Sequence, residues 1–200
     1  MTQMGRTDAV VIGLGNPLMS DDGIGLAAME LLRSRWELPA GVELVDGGTW
    51  GLRLLPAIED ADRVLLLDAV DVDAPAGTVV VMERERLPRF LSSKLSPHQV
   101  GVRDLLALAE LRGSLPAETV AMGIQPGRVE MGTSLGPDAQ ASLEELVQRA
   151  VERLAAWGFP PRPRDGRPAD PPDPALRRPA PFAGPAAGAA AGGSVGGPGA

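Results

Sequence analysis

The sequence contains no cysteine and a single histidine, His98. Without cysteine the chain has no disulfide, thiolate metal site, iron–sulfur cluster or cysteine nucleophile. A Ser-His-Asp triad or a histidine-ligated metal site must use His98, and the HExxH motif of metalloproteases is absent. The candidates for chemistry are therefore carboxylates, hydroxyls and this one imidazole.

The chain is also poor in aromatic side chains, positive charge and long apolar runs. Aromatic residues make up 3% and tyrosine is absent, which disfavours stacking on bases or sugars. The net charge of −7 disfavours a nucleic-acid or anionic-membrane partner. No apolar run reaches the roughly 18 residues of a membrane span, and Ala9–Leu14 is too short for a signal sequence. We therefore expect a cytoplasmic protein without membrane or nucleic-acid partners.

Five apolar segments predict strands, and four segments of helical periodicity predict helices. The alternation of the two favours an α/β domain with a parallel sheet. Residues 70–77 connect the third and fourth strands, and they are too few for a parallel crossover, so the fourth strand is predicted to be antiparallel. The strands are predicted at Ala9–Leu14, 42–45, 64–67, 78–82 and Glu118–Ile124, and the helices after Ser20-Asp21-Asp22, at 52–58, at Pro97–Leu111 and at 137–157.

Composition sets the limits of the predicted domain. Residues 1–8 are predicted to form a frayed N-terminus, and residues 9–157 to form one folded domain. From residue 158 to residue 200 the chain is rich in proline, glycine and alanine. Such a segment buries too little apolar surface to offset its ordering entropy, so it is predicted to be a disordered tail.

The first predicted strand ends in the glycine-rich loop GLGNPLMSDDGIG. Gly13 and Gly15 resemble a dinucleotide-binding turn, whose glycines let a phosphate approach a helix N-terminus. However, Leu18 replaces the third glycine of that motif, and Asp21 and Asp22 place two carboxylates where a pyrophosphate would lie. A nucleotide-binding oxidoreductase is therefore the weaker interpretation, and Asp21 is predicted to cap the helix that follows.

Three side chains are predicted to share a site at the carboxyl edge of the sheet. Asp22 follows the first strand and Asp68 ends the third, and doubly wound sheets bind ligands where neighbouring strands diverge at this edge. His98 lies in the first turn of a helix, where the helix dipole favours the neutral imidazole that binds metals. Two carboxylates and one imidazole suit a catalytic or substrate-bridging divalent ion. The alternatives are a helix cap at Asp22, a turn at Asp68 and a surface or core position for His98.

Two more loops are predicted to open onto the same edge. Asp46-Gly47-Gly48-Thr49 ends the second strand, and Gln125 follows the fifth. Glycine pairs bare the backbone for contact with an extended peptide, although most such pairs form ordinary turns. Asp46, Gly47, Gly48, Thr49 and Gln125 are therefore predicted to bind substrate.

These blocks occur in the same order in a known protein family. Gly13-Leu14-Gly15-Asn16-Pro17-Leu18 is followed by Asp21-Asp22-Gly23-Ile24-Gly25, then by Asp46-Gly47-Gly48-Thr49, Leu67-Asp68-Ala69 and Ser96-Pro97-His98-Gln99. In these blocks the chain, from Ala9 to about Trp157, resembles the hydrogenase maturation proteases. Members of that family are endopeptidases that trim the large subunit of nickel–iron hydrogenase.

The resemblance implies a three-layer α/β/α fold with a mixed five-stranded sheet in the order 2-1-3-5-4, strand 4 being antiparallel. It also implies that Asp22, Asp68 and His98 bind nickel, which the immature hydrogenase subunit already carries. The enzyme then removes the C-terminal extension of that large-subunit precursor. The family's first ligand is Asp or Glu, which Asp22 satisfies, and Asp46 with its neighbours corresponds to the loop expected to set specificity.

The mechanism is less constrained by the sequence. The GxSxG motif of serine hydrolases is absent, and His98 is assigned to the metal. The metal is therefore expected to polarise the scissile carbonyl or to lower the pKa of a bound water, with the general base unassigned. A second hypothesis is a chaperone that senses the metal and binds the precursor without cutting it.

An acidic surface and exposed strand ends are compatible with a monomer.

Overall fold

The computed structural model describes residues 6–87 and 97–164, and the side chains at 97–101 and 103 lie outside that description. Short 3-10 helices cover Ser20–Gly23, Gly51–Leu54 and Arg84–Arg86. The other elements, in chain order, are β1 (Ala9–Leu14), α1 (Ile24–Arg35), β2 (Trp36–Glu37), β3 (Val42–Gly48), α2 (Leu55–Glu59), β4 (Arg63–Ala69), β5 (Val79–Glu83), α3 (Pro97–Leu111), β6 (Glu118–Ile124), α4 (Pro137–Ala156) and β7 (Arg162–Pro163).

The main sheet has the strand order β3-β1-β4-β6-β5. The pairs β3–β1, β1–β4 and β4–β6 are parallel, whereas β5 runs antiparallel to β6. In the numbering of the predicted strands this is the order 2-1-3-5-4 with strand 4 antiparallel, so the predicted topology is confirmed. Because β1, β4 and β6 are parallel neighbours, their carboxyl ends open onto one edge.

The sheet is covered on both faces, which explains why β1 and β4 are apolar almost throughout. Their side chains alternate between two separate clusters of buried residues. Val10, Ile12, Val64 and Leu66 pack toward α2 and α3, and Val11, Leu65 and Leu67 pack toward α1 and α4. This arrangement confirms the predicted three layers. It fixes the register of β1 and β4, because a slip by one residue would exchange the two faces.

The folded domain extends past both predicted boundaries. Thr7 pairs with Ala61, so the order reaches into the predicted frayed start. After Trp157 the chain continues to β7, which pairs with β2, and the N–H of Arg164 donates to Arg35 O over 2.8 Å. The remainder of the two predicted terminal segments, 1–5 and 165–200, lies outside the described residues. In the part of the chain that is described, no helix is long and apolar enough to cross a membrane.

Candidate active site at the carboxyl edge of the sheet

The loop after β1 folds back onto the ends of β1 and β4. A Cβ atom at Gly15, whose φ is +116°, would lie 1.8 Å from the carbonyl oxygen of Asp22. A Cβ atom at Gly25 would lie 2.0 Å from the carbonyl oxygen of Leu67 and 2.5 Å from that of Leu14. The two glycines therefore admit the chain's own backbone at close range. The atoms nearest to that Cβ position at Gly15 belong to Asp22 and Gly23 of the following turn, so this glycine serves the packing of the loop on itself and gives no support to the oxidoreductase interpretation.

Asp22 and Asp68 are both placed at this edge, as the sequence predicts. Each is only 3% exposed. The Oδ2 atom of Asp22 accepts a hydrogen bond from the backbone N–H of Asn16 at 3.0 Å. The Oδ1 atom of Asp68 accepts one from the N–H of Ala69 at 2.8 Å. Burying two carboxylates is costly unless hydrogen bonds or a cation compensate their charge, and each of these two accepts a backbone N–H.

The third predicted ligand, His98, lies in the first turn of α3. Its side chain is outside the described residues, so the complete set of three ligands stays a prediction. Among the side chains that the structure does describe, no three or more acidic residues gather closely enough to hold a metal ion. The described part of the site is therefore the pair of carboxylates from the loop after β1 and from the end of β4.

Asp21 does not cap its own helix, which corrects the prediction from sequence. It is 1% exposed, and both of its carboxylate oxygens accept backbone N–H groups from a distant segment. Its Oδ2 atom accepts from Gly127 at 2.9 Å and Arg128 at 3.0 Å, and its Oδ1 atom accepts from Gly136 at 2.6 Å. We call residues 126–136 the anchored loop, since Asp21 ties them to the turn that carries Asp22.

The predicted substrate-binding loop Asp46–Gly47–Gly48–Thr49 lies beside this turn. Asp46 and Thr49 are exposed, and the carbonyl oxygen of Gly48 accepts the N–H of Gly15 at 3.0 Å. Gly47 is buried, and a Cβ there would lie 2.7 Å from the Cγ2 atom of Ile12. The loop is thus fixed against the end of β1 with two polar side chains facing outward, and its role in binding substrate stays a prediction.

Gln125 is held by contacts inside the protein. Its Oε1 atom accepts the N–H groups of Val72 at 2.8 Å and Ala74 at 3.3 Å, and its Nε2 atom donates to Asp71 at 3.1 Å. The side chain is 7% exposed. These contacts show that Gln125 braces the connection between β4 and β5. Contact with substrate, the predicted role, remains a separate prediction.

Exposed apolar side chains near the edge were not predicted from sequence. Leu18, in the loop after β1, and Met131, in the anchored loop, are exposed, and so is Trp50 immediately after the Asp46–Thr49 loop. Isolated apolar residues in loops have no periodicity that would identify them as surface or core. Their exposure becomes evident only when the loops are folded.

Known proteins resemble this chain in sequence. A sequence profile of the family described as "Hydrogenase maturation protease" matches residues 26–153. The chain is 39% identical over 165 residues to hydrogenase expression/formation protein HoxM of Azotobacter vinelandii, covering 82% of this chain and 80% of that protein. It is 33% identical over 158 residues to the hydrogenase 2 maturation protease of Escherichia coli, covering 78% of this chain and 96% of that protein.

The solved structures agree with the sequence comparison. The hydrogenase maturating endopeptidase HybD from E. coli superimposes with a TM-score of 0.76 at 31% identity, over 80% of this chain and 99% of that one. The fold and the relatives together define an α/β endopeptidase. The chain belongs to the hydrogenase maturation protease family, and the predicted activity of a maturation endopeptidase, a hydrolase, is confirmed.

Proposed function

We propose that this protein removes the C-terminal extension of a nickel–iron hydrogenase large-subunit precursor, and that it does so only after the precursor has received its nickel. The observation that supports this proposal most directly is the pair of buried carboxylates, Asp22 and Asp68, at the carboxyl edge of β1 and β4. The nickel belongs to the substrate and is recognised by the enzyme. It is not a resident cofactor in this proposal.

The donor set fits a divalent cation. Carboxylate oxygens are acceptors only, and a neutral imidazole, here predicted from His98, is a common ligand of nickel. Buried carboxylates attract a cation more strongly than solvated ones, because water screens their charge less. A precursor that carries nickel brings a positive charge to these carboxylates, whereas an unloaded precursor brings none. This difference gives the enzyme a physical means of distinguishing loaded from unloaded precursor.

The chain's own residues position the reaction. The N–H group of Asn16 holds the Asp22 carboxylate, and the N–H group of Ala69 holds that of Asp68. Asp21 fixes the backbone of the turn from which Asp22 projects. A nickel ion bound there would polarise the nearby scissile carbonyl or lower the pKa of a bound water. The Asp46–Thr49 loop, one strand away, would hold the extended chain on either side of the cleaved bond.

The deciding experiment compares nickel-loaded and nickel-free precursor. Each is mixed with the enzyme, and the masses of all products are measured by mass spectrometry. We expect loss of the C-terminal extension from the loaded precursor alone. Equal cleavage of both forms would contradict the dependence on nickel, and an intact loaded precursor would contradict the proposed function. A stable complex in which both proteins keep their full mass would support the non-cleaving chaperone instead.

Removing either carboxylate charge is expected to reduce cleavage. In Asp68→Asn the side chain keeps its size and an oxygen that can accept the Ala69 N–H, while one negative charge is lost. We expect the cleavage rate of nickel-loaded precursor to fall by about 100-fold, and Asp22→Asn to behave alike. The matched control is Asp62→Asn at the other end of β4, where the carboxylate is exposed and paired with Arg6. A variant at Asp68 that cleaves as fast as this control would refute the assignment.

A further inference from the structure

Two exposed apolar residues lie on adjoining backbone segments next to the proposed site. Leu18 is 62% exposed and Met131 is 89% exposed. The residues that follow them, Met19 and Gly132, form a parallel bridge. Gly132 donates its N–H to Leu18 O at 2.9 Å, and its carbonyl accepts the N–H of Ser20 at 2.8 Å. The bridge makes the backbones of Leu18 and Met131 neighbours, and we call these two exposed side chains the apolar patch.

The backbone beneath this patch is held firmly. Asp21 accepts three N–H groups of the anchored loop, and the Oγ atom of Ser20 donates to the carbonyl oxygen of Glu130 at 3.0 Å. Glu130, the residue before Met131, is therefore fixed by the side chain of Ser20. A surface that is ordered before binding loses less conformational entropy when a partner arrives.

The patch is continuous with the carboxylates. Asn16 connects them, because its N–H donates to Asp22 and its Oδ1 atom accepts the N–H of Leu18 at 3.0 Å. At the rim, Arg128 and Glu130 pair with each other at 3.3 Å. An apolar centre with a self-neutralised polar rim is the arrangement of protein-binding surfaces.

We propose that Leu18 and Met131 form a docking surface for an apolar side chain of the precursor polypeptide, close to the bond that is cut. This inference rests on the proposed function. An endopeptidase must hold a polypeptide across its site, and this patch adjoins Asp22 through Asn16. A fixed, uncharged surface there suits an apolar side chain of that polypeptide, which gains free energy by leaving water.

The test is the double substitution Leu18→Ser with Met131→Ser. Both side chains are exposed, so the fold is not expected to change. We expect the Kd for nickel-loaded precursor, measured by titration calorimetry, to rise about tenfold or more. KM should rise in parallel while kcat is unchanged. The matched control is Leu111→Ser, where the leucine is 85% exposed and lies at the opposite end of α3 from His98.

Binding and cleavage are measured separately, so that the two proposals fail separately. If the wild-type protein binds the precursor without cutting it, the proposed function fails while the ratio of Kd values still tests the docking surface. An unchanged Kd in the double variant, an equal rise in Leu111→Ser, or a fall in kcat at constant KM would each overturn the docking proposal. So would self-association of the wild type that the double variant abolishes, because the patch would then be covered by a second copy.

Discussion

Asp21→Ala is expected to lower the free energy of unfolding by about 3 kcal/mol or more. The substitution leaves the N–H groups of Gly127, Arg128 and Gly136 without the carboxylate that accepts all three. Each buried donor that loses its acceptor costs about 1–3 kcal/mol. The anchored loop thereby loses three of the hydrogen bonds that tie it to the turn of Asp22, so precursor binding should weaken as well.

The loss of stability is measured by comparing the wild type with Asp21→Asn and Asp21→Ala. Asn at position 21 keeps one acceptor oxygen but places an amide NH₂ against at least one N–H donor, so Asp21→Asn should lie between the wild type and Asp21→Ala. Urea denaturation gives the free energies, and hydrogen exchange reports the amides of residues 127, 128 and 136 directly. Asp62→Ala serves as the control, since an exposed ion pair contributes about 0–1 kcal/mol. If Asp21→Ala were no more destabilising than this control, the anchoring role would be wrong.

Gly15→Ala is expected to destabilise the fold by about 3 kcal/mol and to abolish most activity. The added Cβ atom would lie 1.8 Å from the backbone oxygen of Asp22, which cannot rotate away as a side chain can. The positive φ of +116° adds strain of its own. The turn must therefore move, and Asp22 with it. A displacement of about 1 Å at a catalytic site can cost about 100-fold in rate.

Gly113→Ala separates the effect of the close contact with Asp22 from the effect of the positive φ. Gly113 also has a positive φ, of +67°, but an added Cβ there would meet nothing within 4 Å. We expect this control to lose about 1 kcal/mol from backbone strain alone and to keep full cleavage activity. Both variants are measured by urea denaturation and by the rate of precursor cleavage. Equal losses in the two would show that the close approach to Asp22 has no importance of its own.

Most of the sheet was predictable because its strands are buried on both faces. Polar or glycine residues flank the apolar runs of β1 and β6. The predicted bounds of both strands are those observed. The short connection before β5 fixed the direction of that strand. In contrast, β2 and β7 contain two residues each and have no measurable periodicity. Their pairing depends on main-chain bonds between distant segments, which a local pattern does not indicate.

The site was predictable only in part, for a related reason. Asp22 follows β1 and Asp68 is the penultimate residue of β4, and the topology of parallel strands brings strand ends together. Asp21 was misassigned, because an acid at a helix start usually accepts that helix's own N–H groups. Here N–H groups 106 to 115 residues away take their place. Tertiary donors of this kind have no local signal, and the same holds for the bridge that joins Met19 to Gly132.

The bond between Asp21 and Gly136 also has a consequence for synthesis of the chain. The two residues are separated by 115 positions. At about 5–20 residues per second, the ribosome adds Gly136 roughly 6 to 23 seconds after Asp21. During that interval the nascent turn that carries Asp22 has not yet met the backbone groups that fasten it. The turn that carries Asp22 is therefore translated early but fastened late. Its last hydrogen-bond donor, Gly136, is added immediately before α4 begins.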